Sequence, residues 1–226
     1  MKIAVLGTGM VGQALAGRLA ELGHEVTVGT RDVAATMERT EPDGMGNPPY
    51  AAWAAGRDDL RLAPFAEATA DAELIVNATS GGVSLAALTA AGTANLAGKV
   101  LLDISNPLDF SRGFPPTLFV KDTDSLGEQI QAAFPDLRVV KALNTLTAAL
   151  MVHPQQLADG QHTVFVAGND AGAKKAVTGL LADFGHTDIV DLGDISSARG
   201  TEMFLPLWLR LMGSLNTPMF NVKIVR

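Results

Sequence analysis

The first thirty-one residues place a glycine-rich turn between a strand and a helix, and this arrangement most constrains the fold. Lys2–Leu6 contains the unbroken apolar run IAVL, which predicts a strand buried on both faces of a parallel sheet. The following segments predict a helix over Val11–Leu22 and a second strand over Glu25–Gly29. In this βαβ context the glycines predict a dinucleotide site, because they permit a sharp turn and let a pyrophosphate approach the N–H groups of the helix N-terminus. The residues of the turn are Gly7, Thr8, Gly9, Met10, Val11 and Gly12.

The end of the second predicted strand indicates which dinucleotide binds. An NAD site usually has Asp or Glu about twenty residues after the glycines, whereas this chain has Thr30 and Arg31. A hydroxyl and a fixed cation suit a 2′-phosphate better than a bare ribose. Asp32 is either an acid that grips the ribose or the N-cap of the next predicted helix, and the Thr-Arg pair at the strand end favours the cap. We therefore predict NADP(H) rather than NAD(H).

Composition argues against several classes of protein. Of the 226 residues, 47% are apolar and 18% are charged, which predicts a substantial core rather than disorder. The net charge of −7 argues against nucleic-acid binding, and the absence of cysteine excludes disulfides and thiol chemistry. The sequence has no apolar run of about eighteen residues, so we expect no membrane span. Because the chain enters the first strand without a signal peptide, we expect a cytoplasmic protein.

Three later predicted strands, 73–78, 99–104 and 138–143, are apolar at their centres, and a short strand is predicted at 60–63. Each of the three leads into a small polar segment that contains Asn. The carboxyl ends of strands in an open α/β sheet face the ligand, so these segments predict a polar site around the ribose and nicotinamide. The segments contain Asn77, Ala78 and Thr79, then Asn106 and Pro107, and finally Asn144 and Thr145.

The segment 41–59 is rich in proline and glycine, which predicts an irregular excursion from the sheet. Tyr50 and Trp53 within it either anchor the loop to the body of the protein or form part of a lid over the cofactor. Aromatic side chains commonly pin long loops, which favours anchoring.

The pattern changes after residue 150, and we predict a Rossmann-type doubly wound parallel α/β sheet with a smaller C-terminal α/β lobe. Residues 1–150 would form the NADP-binding domain, and residues 151–226 the lobe packed on it, which supplies an acceptor pocket or a dimer contact. The elements predicted in the lobe are strands at 163–167 and 188–192, a helix at 170–184, an apolar helix at 196–215, and an edge strand at 221–226.

The apolar helix predicted at 196–215 is hydrophobic nearly all round, and Pro206 should kink it. Such a helix is either fully buried or covers a partner. It could therefore line a pocket for a planar ligand, form a dimer contact, or pack in the core.

Conventional catalytic groups are scarce in this sequence. It contains no zinc-protease, carboxylate-rich metal or serine-hydrolase motif, and we predict no metal site. Asp103, at the end of a predicted strand, is more simply the cap of the following turn. Lys141 is the one candidate acid or base near the nicotinamide, although a strand-end lysine that reaches solvent is favoured. We assign no catalytic side chain, since hydride transfer between two organic cofactors needs alignment and exclusion of water more than a general acid.

The segments GTGMVG, LGHEVTVGTR, NATSG, DISNPLD and KALNT resemble those of the NADP oxidoreductases that depend on coenzyme F420. The resemblance covers essentially the whole chain. It implies a Rossmann domain that binds NADPH and a smaller C-terminal part that closes a pocket for the deazaflavin. It further implies that a hydride passes between the nicotinamide and the deazaflavin, usually in a homodimer.

The resemblance also implies roles for individual residues. Residues 7–12 would hold the pyrophosphate, and Thr30 and Arg31 would bind the 2′-phosphate. Residues 77–79 would edge the adenosine and ribose, while Asn106-Pro107 and Asn144-Thr145 would lie near the nicotinamide.

Three alternatives to this function stay open. The Rossmann unit also resembles the cytoplasmic domain of ferric reductases, which passes electrons from NADPH through a flavin, so a flavin-like acceptor is one alternative. A second is reduction of a small imine or carbonyl, as in pyrroline-carboxylate reductases, which share the N-terminal pattern. A third is a non-catalytic NADP(H)-binding redox sensor.

Overall fold

The structure is a computed structural model that describes residues 1–44 and 46–226. The strands within these residues are β1 (Lys2–Leu6), β2 (Glu25–Thr30), β3 (Leu60–Pro64), β4 (Leu74–Asn77), β5 (Val100–Asp103), β6 (Leu108–Asp109), β7 (Thr117–Leu118), β8 (Arg138–Ala142), β9 (Thr163–Gly168) and β10 (Asp188–Asp191). The α-helices within them are α1 (Met10–Glu21), α2 (Val33–Glu38), α3 (Tyr50–Ala54), α4 (Phe65–Ala70), α5 (Gly81–Ala91), α6 (Thr93–Leu96), α7 (Leu126–Ala133), α8 (Ala148–Val152), α9 (Ala171–Phe184), α10 (Ala198–Met203) and α11 (Leu205–Leu215).

Eight of the described strands form one sheet in the order β10-β9-β8-β5-β4-β1-β2-β3, and β6 and β7 form a separate antiparallel pair. From β8 to β3 all neighbours are parallel. The chain winds outward from β1 to β3 and then returns to β4 on the other side of β1, which is the switch in direction that defines a doubly wound sheet. The predicted fold class is confirmed.

The register of the parallel strands brings their carboxyl ends into one row. Leu6 at the end of β1 lies between Gly29 and Asn77. Asp103 lies between Asn77 and Lys141. The segments that follow these strands therefore meet at one edge of the sheet, as the sequence predicted.

Helices cover both faces of the sheet, and β1 shows why its apolar run is continuous. Ile3 and Val5 belong to the cluster on one face, together with Leu15 of α1. Leu6 belongs to the cluster on the opposite face, together with Leu88 of α5. Because successive strand residues point to opposite faces, a strand covered on both sides needs an apolar residue at every position.

The C-terminal part extends the same sheet. Strand β9 pairs antiparallel with β8, and β10 pairs parallel with β9. The division into domains at residues 150 and 151 stays a prediction.

The single helix predicted at 196–215 is two consecutive helices, α10 and α11, so that prediction was wrong. Phe204 separates them as the N-cap of α11, and Pro206 lies in the first turn of α11. Proline has no N–H group to donate to the preceding turn, and the first turn of a helix is where that loss costs nothing. Pro206 therefore begins a helix instead of kinking one.

The tail at 221–226 forms no strand, which also corrects the prediction. Val222 O accepts a hydrogen bond from Thr163 N at 2.9 Å, but Ile224 N donates to the Thr163 hydroxyl at 2.9 Å instead of to a carbonyl. Asn221 Nδ2 donates to Thr163 O at 2.9 Å. Because side-chain atoms take the place of backbone groups, no continuous ladder forms.

The excursion at 41–59 is anchored by its aromatic residues, as predicted, although residue 45 lies outside the described residues. Tyr50 is buried, with 4% of its surface exposed, and its ring centroid lies 5.6 Å from that of Trp53. Trp53 in turn packs on the core beside α1 and carries the Arg57 guanidinium 4.7 Å from its ring centroid.

Candidate functional site

The glycine turn between β1 and α1 leaves one open position. A Cβ placed on Gly7, whose φ is +117°, would lie 2.6 Å from Ala78 O, and a Cβ on Gly12 would lie 2.0 Å from Gly7 O. These two glycines are therefore required by packing within the protein. A Cβ on Gly9 would meet nothing within 4 Å. Since Gly9 is also the N-cap of α1, the space beside it suits a ligand that approaches the helix N-terminus.

A first cavity, of about 500 Å³, is bounded by the glycine turn, the end of β2, α2 and α5. Arg31 and Arg39 both line it, both are exposed, and neither forms an ion pair within the described residues. Two guanidinium groups without an ion-pair partner in the lining of one cavity have the charge and the donors that a dianion requires. The other lining residues that the sequence predicted are Gly7, Thr8, Gly9, Thr30, Ala78 and Thr79.

The Thr30 hydroxyl is engaged within the protein. Its oxygen lies 2.8 Å from the Thr36 hydroxyl oxygen, and Thr36 donates its own hydrogen to Asp32 O at 2.6 Å. Thr30 must therefore donate its hydrogen to Thr36. In this arrangement the hydroxyl has no hydrogen left for a phosphate.

Asp32 is the N-cap of α2, as predicted. Its Oδ1 accepts a hydrogen bond from Ala35 N at 3.0 Å. The carboxylate is thus committed to the helix N-terminus, where a negative charge is also favoured by the helix dipole.

A second cavity, of about 390 Å³, continues from the first. Gly9, Ala78, Thr79 and Ser80 line both cavities, which therefore form one groove across the carboxyl ends of the strands. The rest of the second lining is largely apolar. It consists of Met10, Val11, Asp43, Asn47, Gly81, Ile104, Ser105, Asn106, Leu108, Phe110, Asn144, Leu146, Met151, Leu205 and Trp208.

Four residues that the sequence assigned to the site lie outside both linings. They are all buried, and they are Gly12, Asn77, Pro107 and Thr145. Asn77 lies directly beneath the groove, where its Oδ1 accepts a hydrogen bond from the Thr79 hydroxyl at 2.7 Å. Its contact with the groove is therefore indirect.

Lys141 does not reach solvent, so that interpretation was wrong. Its side chain is fully buried, and its Nζ lies 2.8 Å from Asp103 Oδ2 and 2.8 Å from Glu202 Oε1. Burial by itself acts to lower the pKa of Lys141, but the two carboxylates together act more strongly and raise this pKa above its ordinary value of 10.5. Asp103 has the turn-capping role expected of it, since its Oδ1 accepts from the Ser105 hydroxyl at 2.7 Å, and it pairs with Lys141 as well.

Sequence reasoning missed several residues of the groove. Arg39 was visible as a second basic residue one short helix after Arg31, but nothing local placed it in the same cavity. Leu205 and Trp208 come from the apolar segment for which a pocket lining was one alternative, and the structure places them there. Phe110 lies in an irregular segment with no sequence signal.

No group of His, Asp and Glu side chains among the described residues is arranged to hold a metal ion. Within the same residues, no helix has the length and apolar character needed to cross a membrane.

Comparison with known proteins gives the family. Residues 2–107 match the family described as NADP oxidoreductase, coenzyme F420-dependent. A crystal structure from Arthrobacter sp. FB24, provisionally described as an F420-dependent NADP reductase, is 60% identical and is covered completely by this chain, with a TM-score of 0.96. The chain belongs to this family. It is an NADP-dependent oxidoreductase.

Two further relatives differ in the share of their length that this oxidoreductase covers. The F420-dependent NADP reductase of Methanothermobacter marburgensis is 29% identical over 217 residues, which are 93% of this chain and 92% of the relative. Metalloreductase STEAP3 of Rattus norvegicus is 31% identical over 214 residues, but the chain spans only 38% of its length.

Proposed function

We propose that this oxidoreductase transfers a hydride between NADP(H) and the deazaflavin coenzyme F420 in the groove formed by the two cavities. The observation that carries the proposal is the groove itself, which has two exposed arginines at one end and an apolar cavity with aromatic residues at the other. Because four residues line both cavities, ligands held in the two parts would be neighbours. The similarity to an F420-dependent NADP reductase over 92% of its length supports the same assignment.

The first cavity fits NADP(H). Residues 7–12 would hold the pyrophosphate, since the open space beside Gly9 faces the uncapped first turn of α1. Arg31 and Arg39 would bind the 2′-phosphate as paired cations, with Thr30 shaping the cavity rather than donating to the phosphate. Ala78 and Thr79 would edge the adenosine and ribose, and Asn77 would support them from below.

The second cavity fits the nicotinamide end of the cofactor and a planar acceptor. When bound, NADP(H) supplies or takes the hydride at its nicotinamide ring. Asn106 and Asn144 would orient that end with amide groups, with Pro107 and Thr145 as buried supports behind them. Trp208 would contact the acceptor. Its indole N–H is shielded from solvent and has no hydrogen-bond partner within the described residues, which leaves a donor for a ligand.

We assign no catalytic acid or base to this reaction. Asp43 is the one ionisable side chain in the second lining within the described residues, and both of its carboxylate oxygens accept hydrogen bonds from Asn47. Lys141 cannot serve as an acid or base in the groove, because it is buried and paired with the carboxylates of Asp103 and Glu202. Alignment of the two rings and exclusion of water would then be what the protein contributes.

The proposed assembly is a homodimer. Leu207 and Leu215 of α11 are 54% and 53% exposed, and both are large apolar side chains on the helix that closes the second cavity. An exposed apolar strip of this kind supports a contact between copies.

The deciding experiment follows the visible absorbance of coenzyme F420 after the purified protein is mixed with it and NADPH. We expect rapid bleaching with NADPH and little with NADH. An Arg31→Ala variant should bleach slowly with NADPH, because the cofactor loses a phosphate contact.

The contrary results are also informative. NADPH binding without bleaching would refute the deazaflavin assignment while preserving the cofactor assignment, and flavins and small imines or carbonyls would then be tested as acceptors. NADPH binding without turnover of any acceptor would favour a redox sensor.

A further inference from the structure

A buried polar network crosses the ends of three neighbouring strands beneath the groove. It contains side chains from β4, β5, β8 and α10, all of which are at most 1% exposed. Its members are Asn77, Asp103, Lys141 and Glu202. A polar network with so little exposure is costly unless every group is satisfied, so its arrangement is informative.

Lys141 is the centre of the network. Its ammonium group donates hydrogen bonds to Asp103 Oδ2 and to the backbone carbonyl of Ser105, and it forms an ion pair with Glu202 Oε1 at 2.8 Å, so three acceptors surround its three hydrogens. No hydrogen remains for a substrate. Lys141 therefore acts on its neighbours and not on a reacting atom.

The second carboxylate is stabilised from outside the strands. Glu202 Oε2 accepts from Leu126 N at 2.8 Å, and Glu202 Oε1 accepts from Gly127 N at 3.0 Å. These N–H groups belong to the first turn of α7, where a negative charge is favoured. The network thus ties α10 to α7 as well as to the sheet.

One side of the network supports the wall of the groove. Asp103 Oδ1 accepts from Asn77 Nδ2 at 2.8 Å, and Asn77 Oδ1 accepts from the Thr79 hydroxyl at 2.7 Å. Thr79 lines both cavities, and Ser105, whose carbonyl is held by Lys141, lines the second. Two loops of the groove are therefore fixed to one ammonium group.

The other side of the network leads to the acceptor end. Glu202 is the penultimate residue of α10, and α11 begins three residues later with Leu205. Leu205 and Trp208 line the second cavity. Lys141 is consequently bonded both to the loops that would hold the nicotinamide end and to the helix pair that would hold the acceptor.

We propose that Lys141 is a positioning residue that fixes the α10–α11 helices relative to the nicotinamide end of the groove. It acts through Ser105, through Asp103 and its partner Asn77, and through Glu202. The proposal rests on the proposed hydride transfer. Lys141 is then the group that holds the wall at the nicotinamide end and the wall at the acceptor end in a fixed relative position. Small displacements between reacting rings cost much rate, while binding contacts far from those rings are unaffected.

The test uses a double variant, Lys141→Met with Asp103→Asn. It removes the ammonium together with its strand-neighbour charge, and it leaves Glu202 with its two donors from α7. We expect kcat to fall by about tenfold or more, while the Kd for NADPH stays within about threefold because the phosphate contacts remain. The fluorescence emission of bound NADPH, which depends on the polarity around the reduced ring, should shift toward that of free NADPH.

A second variant and a control make the result decisive. Asn77→Ala cuts the branch to Thr79 without touching the charges, and we expect the same emission shift. Arg199→Met removes the ion pair with Glu128, which joins α10 to α7 at a half-exposed position, and should lower stability without changing emission or kcat.

Unchanged kcat and emission in a folded double variant would overturn the proposal and leave Lys141 a structural role alone. If the double variant does not fold, unchanged emission in Asn77→Ala overturns it. The emission of bound NADPH can be measured without an acceptor. A wild-type protein that binds NADPH but does not bleach coenzyme F420 would therefore refute the proposed function, while the role of Lys141 could still be tested by emission.

Discussion

Asn106 and Asn144 hold each other by reciprocal hydrogen bonds. Asn106 Nδ2 donates to Asn144 O at 2.8 Å, and Asn144 Nδ2 donates to Asn106 Oδ1 at 3.0 Å. The two residues follow β5 and β8, which are neighbours in the sheet, so the pair closes the wall of the second cavity between those strands. Each amide still has unused donor or acceptor capacity, which is available to a ligand.

Removal of either arginine of the first cavity should weaken NADPH binding selectively. We expect Arg31→Ala to raise the Kd for NADPH by roughly tenfold or more, since a charge-assisted phosphate contact is lost. Arg39→Ala should act in the same direction, and neither should change the Kd for NADH. Arg61→Ala is the control, because Arg61 is exposed, paired with Glu67 and outside both cavities. Equal losses for NADPH and NADH would show that the arginines do not contact a 2′-phosphate.

Thr30→Val should have little effect on NADPH binding. The hydrogen of the Thr30 hydroxyl is donated to Thr36, so its loss removes no donor from the cavity. We expect the Kd for NADPH to change by less than about threefold. A tenfold loss measured by fluorescence titration would mean that the hydroxyl turns to the phosphate when the cofactor binds.

Two glycine variants of the same turn should separate binding from folding. Gly9→Ala has open space, so we expect an unchanged unfolding temperature and a marked loss of NADPH affinity. Gly12→Ala places a Cβ 2.0 Å from Gly7 O, so the helix must move and the protein should be destabilised by about 1–3 kcal/mol or more. Thermal unfolding and NADPH titration of both variants test this. Normal NADPH binding by Gly9→Ala would argue against a phosphate beside residue 9.

Trp208→Ala should raise the KM for the acceptor by about tenfold, and leave the Kd for NADPH unchanged. Trp208 lines the second cavity but not the first, and its ring packs against Phe220 at a centroid distance of 5.2 Å. Arg210→Ala, an exposed position of the same helix, provides the control. A loss of NADPH binding in Trp208→Ala would place the indole against the cofactor instead.

Stability should decrease in mild acid because of His186. Burial lowers the pKa of His186 to about 4 from 6.5, and its Nε2 lies 2.9 Å from Met151 O. The folded state therefore favours neutral His186, so its contribution is complete above pH 6.5 and is lost as the pH falls from 6.5 to 4. The loss should amount to roughly 3 kcal/mol.

Urea unfolding at several pH values between 7.5 and 4 tests this expectation. In His186→Gln, which cannot titrate and keeps a donor for Met151 O, the free energy of unfolding should depend less on pH. Equal slopes in the two proteins would show that His186 is already free to protonate in the folded state.

Much of the first half of the fold was predictable because its signals are local. The apolar run of β1, the glycine spacing and the cap at Asp32 each depend on residues a few positions apart. Arg31 could be placed beside the glycine turn for the same reason, since parallel pairing of β1 with β2 sets Gly29 beside Leu6. Arg39 could not, because its position depends on the direction that α2 takes after its cap.

Lys141 shows where local reasoning fails. A lysine near a strand end usually reaches solvent, and nothing in its neighbourhood contradicts that. Its burial depends on Asp103 from the adjacent strand and on Glu202, which is 61 residues away in the sequence (202 − 141) but lies beside it in the fold. The side-chain docking of the tail has the same origin, since it depends on contacts with Thr163 of a distant strand.

The sequence by itself determined the doubly wound sheet, the glycine turn, the capped helix after β2 and the choice of NADP(H), because each follows from periodicity, backbone freedom or the charge of adjacent residues. Only the tertiary structure decided that the Thr30 hydroxyl bonds to Thr36, that Arg39 joins Arg31, and that Lys141 lies in a buried network. Hydrogen bonds and ion pairs between side chains depend on distances in space, and a linear sequence does not specify those distances until the chain has packed.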